Sequence, residues 1–136
     1  MRYVVISTLQ IFVLAVCLSF ISSNSNYAAA GESLDGKTFS IELTEKDKSE
    51  PTKDELVFKD GTFFSTDCEQ YGFGSAPYES KSKGDTTVFK STLTSDKEGK
   101  AEWEGKVKGD DITGTFIWSK EDQDPIIYTY AGSLKE

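Results

Sequence analysis

Apolar residues recur at every second position through much of this chain, and helical spacing is weak throughout. The run "KTFSIEL" sets Phe39, Ile41 and Leu43 on one face against Thr38, Ser40 and Glu42. In "KAEWEGKV", Ala101, Trp103, Gly105 and Val107 oppose Glu102, Glu104 and Lys106. "DITGTFIWS" aligns Ile112, Gly114, Phe116 and Trp118, and "IIYTYAGSL" aligns Ile126, Tyr128, Tyr130, Gly132 and Leu134. "TTVFKSTL" adds Phe89, Ser91 and Leu93, and "ELVFK" adds Leu56 and Phe58. Period two is the signature of a strand with one buried and one wet face.

Turn chemistry separates these runs. "KDGT" at Lys59 to Thr62 is an Asp-Gly hairpin signal, and "KGD" recurs at Lys83 to Asp85 and at Lys108 to Asp110. "SDKEGK" and "SKEDQDP" are longer polar connections, and "EKDKSEPTKD" (Glu45 to Asp54) reads as a charged loop. The pattern predicts eight short strands near 37–43, 54–59, 62–66, 76–81, 86–93, 100–107, 111–119 and 126–134. Sequential hairpins of this kind make an all-β, antiparallel up-and-down meander, which protects its edges best by closing into a barrel. Inward glycines at 105, 114 and 132 suit a sheet that bends on itself.

The segments "WEGKVKGDDITGTFIW" (Trp103 to Trp118) and "YTYAGSLK" resemble the lipocalin-like, or calycin, group of small β-barrels. The resemblance implies a small eight-stranded barrel, a fold used both to hold a small ligand and to bind proteins. The opening "LDGKTFS" carries Phe39 where true lipocalins place a Trp after a glycine, so the likeness is one of fold.

Residues 1–30 do not share the alternation. Arg2 precedes a long apolar run, Val4 to Ile21, and Ala28-Ala29-Ala30 supplies a small-residue cleavage site. This reads as a secretory signal, leaving one domain over 31–136 that is secreted or periplasmic and no longer inserted in a membrane. The chain has 15 basic and 23 acidic residues, a net charge of −8, and no arginine after Arg2. Such a surface repels phosphate backbones, so no nucleic-acid partner is expected. The chain has no histidine, which removes the usual base of Ser-His and Cys-His catalysis and the commonest zinc ligand. No catalytic residue, metal site or cofactor is expected, and the domain is read as a monomer and not an enzyme.

Two residue sets carry the candidate chemistry. Trp103, Phe116, Trp118, Tyr128 and Tyr130 face inward, either as plain core or as the lining of a pocket for a small apolar ligand. The second set lies in and beside "FFSTDCEQYGFGSAPY": Phe64, Cys68, Tyr71, Phe73 and Tyr78. Adjacent Phe63 and Phe64 cannot both face inward on a regular strand. The stretch Thr66 to Tyr78 is expected to form an ordered loop over one end of the barrel, with Tyr71, Phe73 and Tyr78 as its packing residues. It serves as the contact surface if the protein is instead an envelope interaction module or an inhibitor of an exported hydrolase.

Cys68 is the lone cysteine outside the signal segment and has three readings: a buried apolar side chain, an intermolecular disulfide partner, or a reactive or metal-binding thiolate. Its neighbours Asp67 and Glu69 oppose ionisation. A carboxylate pair acting as in glycosidases is a further, weaker possibility. "EDQD" (Glu121 to Asp124) and "GDD" (Gly109 to Asp111) follow no calcium-loop spacing and read as solvated turns.

Overall fold

The computed structural model describes residues 33–136, so the expected signal segment 1–30 and Cys17 lie outside the described residues. Eight strands follow one another: β1 (Thr38–Glu45), β2 (Pro51–Lys59), β3 (Thr62–Ser65), β4 (Ala76–Lys83), β5 (Thr86–Ser95), β6 (Gly99–Lys108), β7 (Asp111–Ser119) and β8 (Ile126–Leu134). One helical turn, α1 (Thr66–Glu69), interrupts them between β3 and β4. Each strand pairs antiparallel with the next, and β8 returns to β1, giving a closed up-and-down barrel. The seam is well made: Phe39 lies opposite Leu134 and Glu45 opposite Tyr128.

The sequence alternation is the burial alternation. Phe39, Ile41 and Leu43 are buried on β1, and Ala101, Trp103, Gly105 and Val107 on β6, while Glu104 and Lys106 face water. The β2–β3 turn is made by Asp60 and Gly61, both with positive φ (52° and 76°). Two positive φ values match the twist of a tight hairpin, which is why Asp-Gly signals it.

Two elements differ from the sequence expectation. The charged connection is shorter than Glu45 to Asp54, because β2 begins at Pro51, opposite Thr44. A proline is tolerated at the first position of a strand, where its missing N–H breaks no ladder. Asp54, already the first residue of the expected strand, is in phase with Leu56 and Phe58, so a carboxylate points inward and is buried.

The second difference concerns the β3–β4 connection. β3 and β4 share only the pairs Thr62–Pro77 and Phe63–Ala76. The β4–β5 ladder ends at Tyr78–Ser91, so Thr92 to Ser95 of β5 have no β4 partner. The β2–β3 ladder likewise starts at Leu56–Ser65, leaving the beginning of β2 without a β3 partner. A window therefore exists in the wall between β2 and β5, and α1 with residues 70–75 fills it. The loop completes the wall of the barrel as well as reaching over its end.

Rings fill the interior. Phe58 contacts Phe39, Phe63, Tyr78 and Phe89 with centroid separations from 4.9 to 6.0 Å. Trp103 continues the cluster through Phe63 at 5.6 Å and Tyr130 at 5.4 Å. Tilted and edge-to-face pairs at these distances are favourable beyond the area they bury. Leu34, just before β1, seals the opposite end. It is fully buried, its N–H donates to the Tyr78 hydroxyl (3.0 Å), and that hydroxyl donates to Asp35 Oδ1 (2.8 Å).

Candidate functional site

At the end of the barrel where β7 finishes and β8 begins, three rings stack outward from the core. Trp103 is 1% exposed and lies parallel to Phe116 at 4.3 Å, with an interplanar angle of 5°. Phe116 in turn stacks on Tyr128 at 5.1 Å and 17°. Antiparallel register sets this up, since Trp103 lies opposite Phe116 and Phe116 opposite Tyr128. Tyr128 is half-buried, as are Ile126 and Trp118, so the stack emerges at a rim. The Trp118 indole N–H donates to the Glu98 carbonyl at 2.6 Å, which fixes the ring against the β5–β6 turn. Burial and the nearby Glu45 charge raise the Tyr128 pKa, so its phenol stays neutral at ordinary pH.

Tyr71 joins this rim from the window-filling loop. It is 56% exposed, the most exposed large apolar residue described, and its carbonyl accepts from the Ser95 hydroxyl (2.9 Å). Tyr128 lies within electrostatic reach of both Cys68 and Tyr71, which places the loop and the ring stack side by side. Tyr71, Trp118, Ile126 and Tyr128 thus form a mouth of partly exposed rings and aliphatic carbon.

The loop is held from below by a buried polar knot. Ser65 caps α1, accepting from the Cys68 N–H at 3.2 Å while donating to Asp54 Oδ2 at 2.5 Å. Asp54 Oδ1 also accepts from the Thr66 hydroxyl (3.0 Å) and from the backbone N–H groups of Asp67 (3.0 Å) and Glu55 (2.6 Å). A buried carboxylate is tolerable when donors saturate it in this way. The function of this carboxylate is architectural: it ties β2 to the start of α1.

Cys68 is buried beneath α1, and burial pushes its thiol up to about 11. The Ser65 hydrogen bond works in the opposite direction, and the Asp54 and Asp67 charges add to the rise. At neutral pH the group is a protonated, enclosed thiol, which fits the first of its three readings.

The two residue sets named from the sequence are therefore divided differently in space. Trp103, Phe116 and Tyr128 belong together, Tyr130 lies beside Trp103, and Trp118 stands at the rim. Of the loop set, Cys68 and Phe73 are buried in the core and Tyr71 reaches solvent. Phe64 is on the outer wall opposite Val57, and Tyr78 packs on Phe58 in the cluster that seals the other end. Sequence reasoning missed the Asp54–Ser65 knot; the signal available was Ser65 as a helix-capping residue ahead of Thr66-Asp67-Cys68-Glu69. It also missed the Leu34–Asp35–Tyr78 closure, whose partners are more than forty residues apart.

Glycines shape the wall behind the stack. Gly105 lies opposite Gly114, and the Tyr130 hydroxyl crosses over the pair to donate to the Glu104 carbonyl at 2.9 Å. A Cβ at Gly114 would stand 2.1 Å from the Glu104 carbonyl oxygen and 2.5 Å from the Tyr130 hydroxyl. Only a residue without a side chain leaves room for this ring. On the outer surface the same region forms a concavity of about 520 Å³, and a second of about 780 Å³ lies over β1, β2 and β8 near Gly132.

Among the described residues one buried side-chain polar atom is unsatisfied: the Trp103 indole N–H has no hydrogen-bond partner. Among the described residues no group of three or more His, Cys, Asp or Glu side chains converges as a metal site would require. The chain matches no family model, and comparison with curated proteins and with solved structures gives no significant match.

Proposed function

We propose that this chain is an exported, non-catalytic barrel of the lipocalin-like group that works as a protein-interaction module through its aromatic mouth. The observation that carries the reading is the contrast between a ring-filled interior and a rim where Tyr71, Trp118, Ile126 and Tyr128 stay partly exposed. Tyr and Trp are the residues that most often dominate binding energy at protein interfaces, because they offer large rigid area with a polar tip. The mouth rests on a braced base, since the Asp54 knot and the Ser95–Tyr71 hydrogen bond fix the loop before any partner arrives. Preorganisation of this kind lowers the entropy cost of binding. The partner is a protein that inserts an apolar side chain between Tyr71 and Tyr128.

Two groups that could serve catalysis are engaged otherwise. The Cys68 thiol is enclosed and protonated, and the Asp54 carboxylate is saturated by donors. A second reading, a small apolar ligand inside the barrel, is favoured by one observation, the unpartnered Trp103 N–H, to which a ligand acceptor would bond.

A photo-crosslinking residue placed at Tyr71, in the cells that make the protein, tests the proposal. The expected result is a discrete protein adduct that is absent when the same residue replaces Thr92 on the outer wall. Identical adducts from both positions, or none from either, overturn it. Native mass spectrometry of the purified protein separates the readings, because a lipid-sized bound mass transfers the function to the interior.

A further inference from the structure

A patch of positive charge on the outer wall stands out on a chain of net charge −8. The concavity of about 520 Å³ over β4 to β7 is lined by Lys81, Lys83, Lys90 and Lys106 against only Glu79 and Glu104, with Thr113 and Thr115 at its far side. Strand register explains the local imbalance. Glu79, Lys90 and Glu104 lie in one cross-strand row, so their signs alternate, and Lys90 pairs with Glu79 at 3.2 Å. The neighbouring row runs Lys81, Val88, Lys106, Thr113 and contains no acid. Lys108, in the row beyond, is taken by Asp85 at 3.5 Å. Among the described residues Lys81, Lys83 and Lys106 make no ion pair.

The floor of the concavity is apolar and lies close to backbone. Val88 is half-buried between Lys81 and Lys106, and the backbone of the inward-facing pair Gly105 and Gly114 runs beneath the outward Glu104, Lys106, Thr113 and Thr115. Lys81 and Lys106 are two strand spacings apart, about 10 Å, so their long side chains can converge on one anionic group above Val88. The two threonine hydroxyls offer donors and acceptors to neutral hydroxyls beyond it.

We propose that this groove binds an anionic oligosaccharide, with its acidic groups held by Lys81, Lys83 and Lys106 and a sugar face lying on Val88. The strands beneath the groove, β5 and β6, are hydrogen-bonded to neighbours on both sides there, so a peptide lying on them meets no strand edge, and an acidic peptide would have charge alone to hold it. A sugar chain presents acids, hydroxyls and an apolar ring face together, as the groove does. The site is separate from the aromatic mouth and does not depend on it.

The test is an NMR titration of the intact protein with two probes, a heparin-derived tetrasaccharide and tetragalacturonate, which distinguish sulfate from carboxylate recognition. The expected result is salt-sensitive shifts confined to the amides around Val88, Gly105 and Gly114 with at least one probe. The double variant Lys81→Glu/Lys106→Glu should weaken binding at least tenfold without altering the rest of the spectrum, because both lysines are exposed. No shifts at millimolar probe, or undiminished binding by the double variant, overturns the proposal. An octaglutamate peptide that binds as well as the sugars also overturns it, since charge alone would then suffice.

Discussion

Replacing Gly114 with alanine adds one methyl group to the most crowded point of the wall. Its Cβ would lie 2.1 Å from a backbone carbonyl oxygen and 2.5 and 2.6 Å from the hydroxyl and Cζ of Tyr130. The carbonyl belongs to β6, which is hydrogen-bonded on both sides, so it cannot retreat without distorting the ladder. Overpacking of this kind costs about 1–3 kcal/mol. Displacing Tyr130 also breaks its hydrogen bond to the Glu104 carbonyl, worth about 1 kcal/mol. The lower chain entropy of unfolded alanine returns roughly 0.4–1 kcal/mol. The net loss is about 1–4 kcal/mol by these figures. At roughly 4–8 °C per kcal/mol for a domain of this size, Tm falls by at least about 4 °C. Urea denaturation followed by tryptophan fluorescence measures the loss directly. Gly74→Ala is the control, because its added Cβ meets nothing within 4 Å. Tyr130→Phe supplies the cycle: alone it costs about 1 kcal/mol, and with Gly114→Ala the combined loss is less than additive, because the hydroxyl is removed from the clash. A Gly114→Ala loss below about 0.5 kcal/mol would refute the argument that close approach, rather than chance, places glycine here.

Three further perturbations address the loop and the far end. Cys68 should react with iodoacetamide at pH 8 only slowly until denaturant is added, since its thiol is enclosed and its pKa stands at about 11; fast labelling of the native protein contradicts this. Asp54→Ala leaves the donors of Ser65, Thr66 and Asp67 without their acceptor, should cost about 2–4 kcal/mol in urea denaturation, and should speed Cys68 labelling as α1 detaches; an unchanged labelling rate argues against the knot. At the opposite end, hydrogen bonds from the Gly61 N–H and the Tyr78 hydroxyl hold the Asp35 pKa below its usual value of 3.8. Its folded pKa is the lower one, so its stabilisation is present above 3.8 and is lost as pH falls through the folded value. Asp35→Asn should therefore lower the urea midpoint at pH 7 and converge with the parent protein near pH 2. Asp67 has the opposite sign, its pKa raised by burial and then by Asp54, so Asp67→Asn should raise the midpoint at pH 7 and lose that advantage below pH 3.8; a loss of stability at pH 7 contradicts the assignment.

The barrel was legible because strand alternation is a local signal. Trp103, Phe116, Tyr128 and their neighbours each announce an inward face within a few residues, and hairpins of two or three residues leave little choice of partner. Closure required one longer inference, that a meander protects its edges, and the β1–β8 ladder bears it out. The loop was less legible because it has no period. Nothing in "DCEQYGFG" says that Cys68 and Phe73 turn inward while Tyr71 turns out; the window between β2 and β5 decides that, and the window exists only after register is set. Asp54 was hidden for a similar reason. Its phase with Leu56 and Phe58 was available, but a carboxylate at an inward position makes sense only with Ser65 and Thr66 brought beside it by β3.

The β1–β8 seam has a consequence for the order of folding. Seven of the eight ladders join strands adjacent in sequence and can form as the chain grows. The eighth must wait for Ile126–Leu134, so until then β1 and β7 each carry a bare edge. Gly132 sits at that last junction, where a Cβ would stand 2.0 Å from the Ser40 carbonyl oxygen. A substitution there blocks the final closing step while leaving earlier hairpins free to form, and the result is a nearly complete sheet with two open edges. Such a species favours joining to a second copy of itself over remaining single.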